Sequence, residues 1–167
     1  MKYLYLIGGT MGVGKTTACQ LLKKRLDRAV FLDGDWCWDS DPFQVTDETK
    51  AMVVENICFL LNQFLHCSAY QNIIFCWVMD EQSILDHICS RLEAHDCMIT
   101  PISLVCTPQA LSKRLQKEID ANRRTRDALE RSLSRIPHYD QLQTIKIDVS
   151  NLTVEQTATA IEALTAQ

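Results

Sequence analysis

Short apolar runs alternate along this chain with longer stretches in which apolar positions return about every three to four residues. The runs predict strands over residues 2–7, 29–33, 72–79, 98–106 and 143–148. The periodic stretches predict helices over residues 15–27, 46–66, 82–94, 108–120, 126–135 and 153–165. Two helix starts carry signals of their own: Thr107 offers a capping hydroxyl ahead of Pro108, and Thr153 with Gln156 has the spacing of a capping box. Strand and helix alternate from end to end, the order of an α/β fold whose parallel sheet is covered by helices on both faces.

At 167 residues the chain is long enough for one core, and residues 1–167 read as a single domain. A net charge of −4 with a pI near 5.5 gives no reason to expect nucleic acid or an anionic membrane as partner. No apolar run approaches the ~18 residues of a membrane helix. The N-terminal run is too short for a secretory leader, so a cytoplasmic protein is expected. Eight cysteines occur without a CxxC pair; Cys19, Cys58, Cys76, Cys89 and Cys106 have apolar neighbours and read as small buried hydrophobes kept reduced. The charge is unevenly placed. Between residues 33 and 86 ten acids face one base, Lys50, whereas between residues 113 and 135 eight bases face four acids.

Directly after the first apolar run, residues 9–16 read GTMGVGKT and fit the phosphate-binding pattern GxxxxGK(S/T) at every fixed position. Glycines let such a loop turn tightly and aim backbone N–H groups at phosphate oxygens, a lysine follows the charge of the β and γ phosphates, and a hydroxyl reaches Mg²⁺. Gly9, Thr10, Met11, Gly12, Val13, Gly14, Lys15, Thr16 and Thr17 are therefore expected to hold a nucleotide triphosphate, with the N-terminus of the following helix adding its partial positive charge. A glycine turn that only mimics the pattern is the alternative.

The second strand ends in FLDGD, residues 31–35, where an open parallel sheet gathers its ligands. Phosphoryl transfer depends on placing the nucleophile and neutralising phosphate charge. Asp35 is expected to orient an acceptor hydroxyl as candidate base, and Asp33 to sit nearer the metal; two acids in a solvated turn is the plain alternative. Asp80 and Glu81, after a hydrophobic strand, imitate a Walker B segment in which the aspartate holds Mg²⁺ and the glutamate activates water. They equally suit the solvated start of a helix. Residues 34–45, GDWCWDSDPFQV, place Trp36, Trp38 and Phe43 in a connection. These either cover the core or, with Trp77, line an acceptor pocket within about residues 34–66.

Arg123, Arg124 and Arg126 fall in a break between helical patterns, which suits a lid at about residues 120–128 that closes over phosphates. Arg114 would lie further back, against the nucleobase. A surface charge run is the alternative, and a nucleic-acid arm is weaker because acids interleave.

With GGTMGVGKTT, FLDGD and LSKRLQKEIDANRRTR in this order, the chain resembles the small P-loop kinases: shikimate and gluconate kinases, adenylate-kinase-like enzymes and antibiotic phosphotransferases of the chloramphenicol type. The resemblance implies a three-layer fold with a five-stranded parallel sheet in the order 2-3-1-4-5, ATP with Mg²⁺, and a lid. It also implies that Asp33 serves metal and Asp35 acceptor, that Arg114 meets the nucleotide base, and that Arg123, Arg124 and Arg126 are lid arginines. One departure narrows the acceptor. Anionic acceptors are held by arginines, because a carboxylate or phosphate taken from water needs charge-assisted bonds; this chain has none between Arg28 and Arg91.

The leading expectation is an ATP-dependent kinase acting on a hydroxyl of a small neutral or cationic acceptor: a nucleoside, a sugar-like metabolite or an antibiotic. A nucleoside monophosphate kinase is the alternative within enzymes. An ATPase or nucleotide-gated protein-interaction module is the alternative from another class. The sequence does not choose between monomer and homodimer.

Overall fold

The computed structural model describes residues 1–164, so the last position of the helix expected over 153–165 lies outside the described residues. Strands β1 (Lys2–Gly8), β2 (Ala29–Asp33), β3 (Asn72–Cys76), β4 (Cys97–Val105) and β5 (Ile145–Asp148) alternate with helices α1 (Lys15–Arg25), α2 (Asp47–His66), α3 (Gln82–Ser90), α4 (Pro108–Asp120), α5 (Arg126–Arg135) and α6 (Val154–Ala163). Short 3₁₀ turns at Gly34–Cys37 and Ile136–Gln141 complete the described elements. Every strand pair is parallel, in the order β2-β3-β1-β4-β5. The sheet order is the one implied by the resemblance.

The period of two along β1 divides the core between the faces of the sheet. Leu4 and Leu6 pack with Val53, Ile57 and Leu61 of α2 and with Ile88 of α3. Tyr5 and Ile7 face the other way, onto Leu22 of α1, Leu111 and Leu115 of α4 and Ile161 of α6. A strand covered on both faces reads as a continuous apolar run, which is why residues 3–7 carry no alternation. Of the five cysteines expected in the interior, Cys19, Cys58, Cys76 and Cys106 are buried, while Cys89 keeps partial exposure.

Helix starts follow the local signals. The Thr107 hydroxyl accepts from Ala110 N–H at 3.2 Å, and Thr153 and Gln156 satisfy each other's backbone N–H groups. A second capping box, Thr46 with Thr49, opens α2. The C-terminus of α4 closes with Asn122 in the left-handed region (φ 56°), its N–H on Ile119 O and the Arg123 N–H on Glu118 O. That is a Schellman arrangement with asparagine in the usual glycine place.

α1 ends and β5 starts two residues inside the expected bounds, and two further ends differ by three residues or more for reasons outside their own segments. β3 stops at Cys76 rather than 79, because the Trp77 N–H turns to Ile7 O, the Gly9 N–H takes Val78 O, and Met79 adopts φ 41°. α3 stops at Ser90 rather than 94: the Asn62 side chain donates to Arg91 O at 3.0 Å and accepts from Glu93 N–H at 2.9 Å, clamping the chain as it leaves the helix. Among the described residues no helix is long and apolar enough to cross a membrane.

Candidate active site

The loop between β1 and α1 lies at the carboxyl end of the sheet, beside the ends of β2 and β3. Gly12 sits at φ +88°, where a Cβ would come within 2.6 Å of Leu115 Cδ2, so only glycine lets the loop lean this closely on α4. Thr10 is buried, and its hydroxyl donates to Ser132 O of α5 at 2.9 Å. Val13 is buried, whereas Met11 is partly open and Thr16 and Thr17 are exposed on the first turn of α1. The Lys15 ammonium donates to Gly9 O at 2.6 Å and Thr10 O at 3.1 Å, bridging the loop from within. Desolvation of that ammonium lowers its pKa from the ordinary lysine value, although the residue keeps some solvent access; the charges of Asp35 and Asp33 oppose the shift.

Thr16 and Asp33 meet: the hydroxyl donates to Asp33 Oδ2 at 2.7 Å. The other carboxylate oxygen of this buried aspartate accepts the Asp35 N–H at 3.0 Å. Asp35 therefore stands in the Gly34–Cys37 3₁₀ turn, whose entry is capped by Asp33. The Asp35 residue stays open to the cleft, and its Oδ1 accepts from Trp77 Nε1 at 3.1 Å. Desolvation of the carboxyl raises its pKa, and the neighbouring Asp33 charge adds to the rise; Lys15, the Trp77 N–H and Arg124 act in the opposite direction.

On the far side of Asp35 the aromatic residues form a chain. Trp77 meets Trp38 edge-on with ring centroids 5.9 Å apart, and Trp38 meets Phe43 at 4.9 Å. Trp36 stands edge-on to Phe31 at 5.2 Å. A Cβ on Gly34 would lie 2.5 Å from Trp77 Cγ, so glycine is what allows the indole to reach Asp35. Trp36 and Trp38 line a groove of about 320 Å³ with Asp39, Met52 and Asn56 among its walls; Phe43 and Trp77 buttress Trp38 from either side. Trp38 and Trp77 pack on the core, while Trp36 and Phe43 remain exposed.

Arg114 donates to the carbonyls of Val13, Val149 and Leu152, joining the phosphate loop to the segment after β5. It also lines a second cavity of about 390 Å³ with Gly12, Gly14, Lys117 and Thr157. The break between α4 and α5 carries Arg123 and Arg124, and Arg126 opens α5. Arg124 Nε donates to Glu118 at 2.8 Å and lies near enough to Asp35 to influence its proton affinity, while Arg123 and Arg126 are exposed.

Asp80 is placed differently from Thr16 and Asp33. Its Oδ2 lies 3.0 Å from His138 Nδ1 and 3.5 Å from Arg135 Nε, so the bases of α5 and the following 3₁₀ turn hold the oxygen expected to bind metal. Glu81 stands at the start of α3 and accepts from the Ser83 hydroxyl at 3.4 Å. Sequence reasoning missed this anchorage of α5, which also includes the Tyr139 hydroxyl donating to Val78 O at 2.6 Å. The partners lie 58, 61 and, for Thr10 with Ser132, 122 residues apart, beyond any local pattern.

A family model described as an AAA domain matches residues 6–136. The chain belongs to that family. A search of curated proteins gave no match. Among solved structures, this AAA-domain chain is similar to the tunicamycin resistance protein of Deinococcus radiodurans (TM-score 0.74, 17% identity, covering 99% of this chain and 96% of that one). It is also similar to a gluconokinase from Sinorhizobium meliloti (TM-score 0.68, 14% identity, 97% and 93% covered) and to shikimate kinase from Bacteroides thetaiotaomicron (TM-score 0.59, 18% identity, 99% and 99% covered). The fold is thus that of the small P-loop kinases.

Proposed function

We propose that this chain transfers the γ phosphate of ATP to a hydroxyl of a small neutral or cationic acceptor. The observation that carries the reading is the position of Asp35. Its backbone is tied to Asp33, its side chain to Trp77, its carboxyl feels Lys15, and the next residue along the chain, Trp36, lines the aromatic groove.

The residues suit ATP with Mg²⁺. The loop has the tight glycine geometry that lets backbone N–H groups face phosphate, and a buried ammonium spans it. The Thr16–Asp33 pair supplies a hydroxyl and a carboxylate, oxygen donors of the kind Mg²⁺ prefers. Bound there, the ion would neutralise phosphate charge. The cavity beside Arg114 is the place for the nucleobase.

In the reaction, the acceptor hydroxyl gives its proton to the Asp35 carboxylate as its oxygen bonds to the γ phosphorus. The bond from that phosphorus to the bridging oxygen breaks, and its electron pair leaves on ADP. A raised pKa suits Asp35 to receive the proton. Lys15 follows the charge that moves toward the leaving oxygen. Arg123 and Arg124 sit on a short connection that, with Arg126 at the start of the following helix, can close over the phosphates and exclude water.

The test is incubation with γ-labelled ATP, Mg²⁺ and a panel of nucleosides, nucleotides, sugars and antibiotics. Label on a neutral or cationic hydroxyl compound, with one ADP per product, is the expected result. Label on nucleoside monophosphates alone would move the chain to the nucleotide kinases. Acceptor-independent hydrolysis abolished by Glu81→Gln would make it an ATPase.

A further inference from the structure

The groove beyond Asp35 carries a chemical signature that the kinase reading does not use. Two indoles, Trp36 and Trp38, and the Met52 side chain form its apolar walls. Among the described residues that line it, Asp39 is the one charged side chain. Asp39 has neither a hydrogen bond nor an ion pair with any described residue; Asp41, Asp47 and Glu48 nearby are likewise without a side-chain partner but do not line the groove. Asp33 is held by Thr16, Asp35 by Trp77, and Glu55 by Arg91. No base lines the groove, and Lys50, the one lysine or arginine between residues 29 and 90, is on α2 but absent from its wall.

An uncommitted carboxylate beside aromatic faces suits a cation. The π faces attract positive charge, the carboxylate adds a charge-assisted hydrogen bond, and an anion would meet repulsion with no compensating cation in the wall. We propose that this groove is the amine-recognition subsite of the acceptor, so that the substrate is an amino-alcohol, such as an amino sugar or amino nucleoside, with Asp39 holding its ammonium. The hydroxyl to be phosphorylated then lies toward Asp35, and the ammonium toward Asp39 between Trp36 and Trp38. Asp39 sets specificity and takes no part in the proton transfer. This assignment rests on the kinase reading for the hydroxyl end, but the ammonium end stands on the groove itself.

The experiment compares hydroxyl-bearing amines from the amino sugar, aminoglycoside and amino nucleoside classes, each beside its neutral N-acetyl form. Acceptor-dependent ADP release gives kcat and KM, and quenching of tryptophan fluorescence gives binding without turnover. For the amine, kcat/KM exceeds that of the N-acetyl partner by about tenfold or more, the scale of one charge-assisted contact. Asp39→Asn raises KM for the amine to that of the neutral form, leaves kcat within about twofold, and leaves the neutral form unaffected. Because Asp39 is exposed, this variant folds as the parent does. Equal or better turnover of the neutral partners, or of anionic acceptors, overturns the amine subsite while leaving the kinase reading in place. If no compound is turned over, the kinase reading fails and the titration decides: amine-specific quenching lost in Asp39→Asn supports the subsite, and its absence overturns it.

Discussion

The two halves of the cleft are built on opposite principles. On the donor side, Thr10 and Val13 are each 3% exposed, and Lys15, Thr16, Asp33 and Arg114 all hold partners within the protein. On the acceptor side, Trp36 and Phe43 are 53% and 56% exposed and Asp39 is unpaired among the described residues. In the proposed reaction the donor half would meet a group with one shape and a fixed charge, so preorganisation is favourable there. The acceptor half presents rings and a free carboxylate, and it gains its order from what binds. Asp35 and Trp77 stand at the boundary, joined by one hydrogen bond.

Substitutions can test whether the halves are separable. Apart from changes at Asp35 itself, the largest effect is expected from Lys15→Ala, which removes the cation at the phosphates; transfer falls by about 10²–10³-fold for every acceptor, measured as label transferred per enzyme. Next comes a matched pair of glycine substitutions. Gly34→Ala drives a Cβ into the Trp77 ring, and because Trp77 is partly exposed it gives way. Acceptor kcat/KM then drops roughly 10²-fold through misplacement of Asp35, with little change in thermal melting. Gly12→Ala is the reverse case: its positive φ and the contact with Leu115 cost about 1–3 kcal/mol of stability, read as a lowered Tm in a melt. A Gly34 variant that melts early while keeping its acceptor kinetics would join the two halves into one unit.

Thr10→Val should cost about 1–3 kcal/mol, because Ser132 O is left buried without its donor. Denaturant titration measures it, and the same variant loosens α5 beneath the lid. The smallest effect is a shift in pH. Asp35 must be ionised to take a proton, so with its raised pKa the acidic limb of kcat/KM lies above the ordinary carboxylate range, and activity falls as pH drops through that limb. Trp77→Phe removes an N–H that holds this pKa down, so the limb moves to higher pH. A limb that stays in place would separate Trp77 from the base.

What the sequence made legible follows the same division. The phosphate loop is contiguous, its residue types are dictated by phosphate, and the caps at Thr107 and Thr153 depend on residues three positions away. Such features are local, and so were the strands that are buried on both faces. The sheet order entered through the resemblance, since periodicity alone does not order strands. The end of β3 was misjudged because Ile7 of β1 and Gly9 of the loop that follows it take the hydrogen bonds of Trp77 and Val78. Asp80 looked like a metal ligand by spacing, but bases nearly sixty positions away hold it in an ion pair. The aromatics of residues 34–45 were visible as candidates; their division into groove walls and buttresses depends on Trp77 and α2 folding over them.

On the proposed reading, Asp35 couples the preorganised donor half to the acceptor without contributing to nucleotide binding. Asp35→Asn tests it directly, with calorimetry of ATP analogue binding beside label transfer to the best acceptor. The account predicts transfer reduced by about 10²–10⁴-fold and ATP affinity unchanged within about twofold. Undiminished transfer, or a loss of nucleotide affinity as large as that of Lys15→Ala, would contradict it.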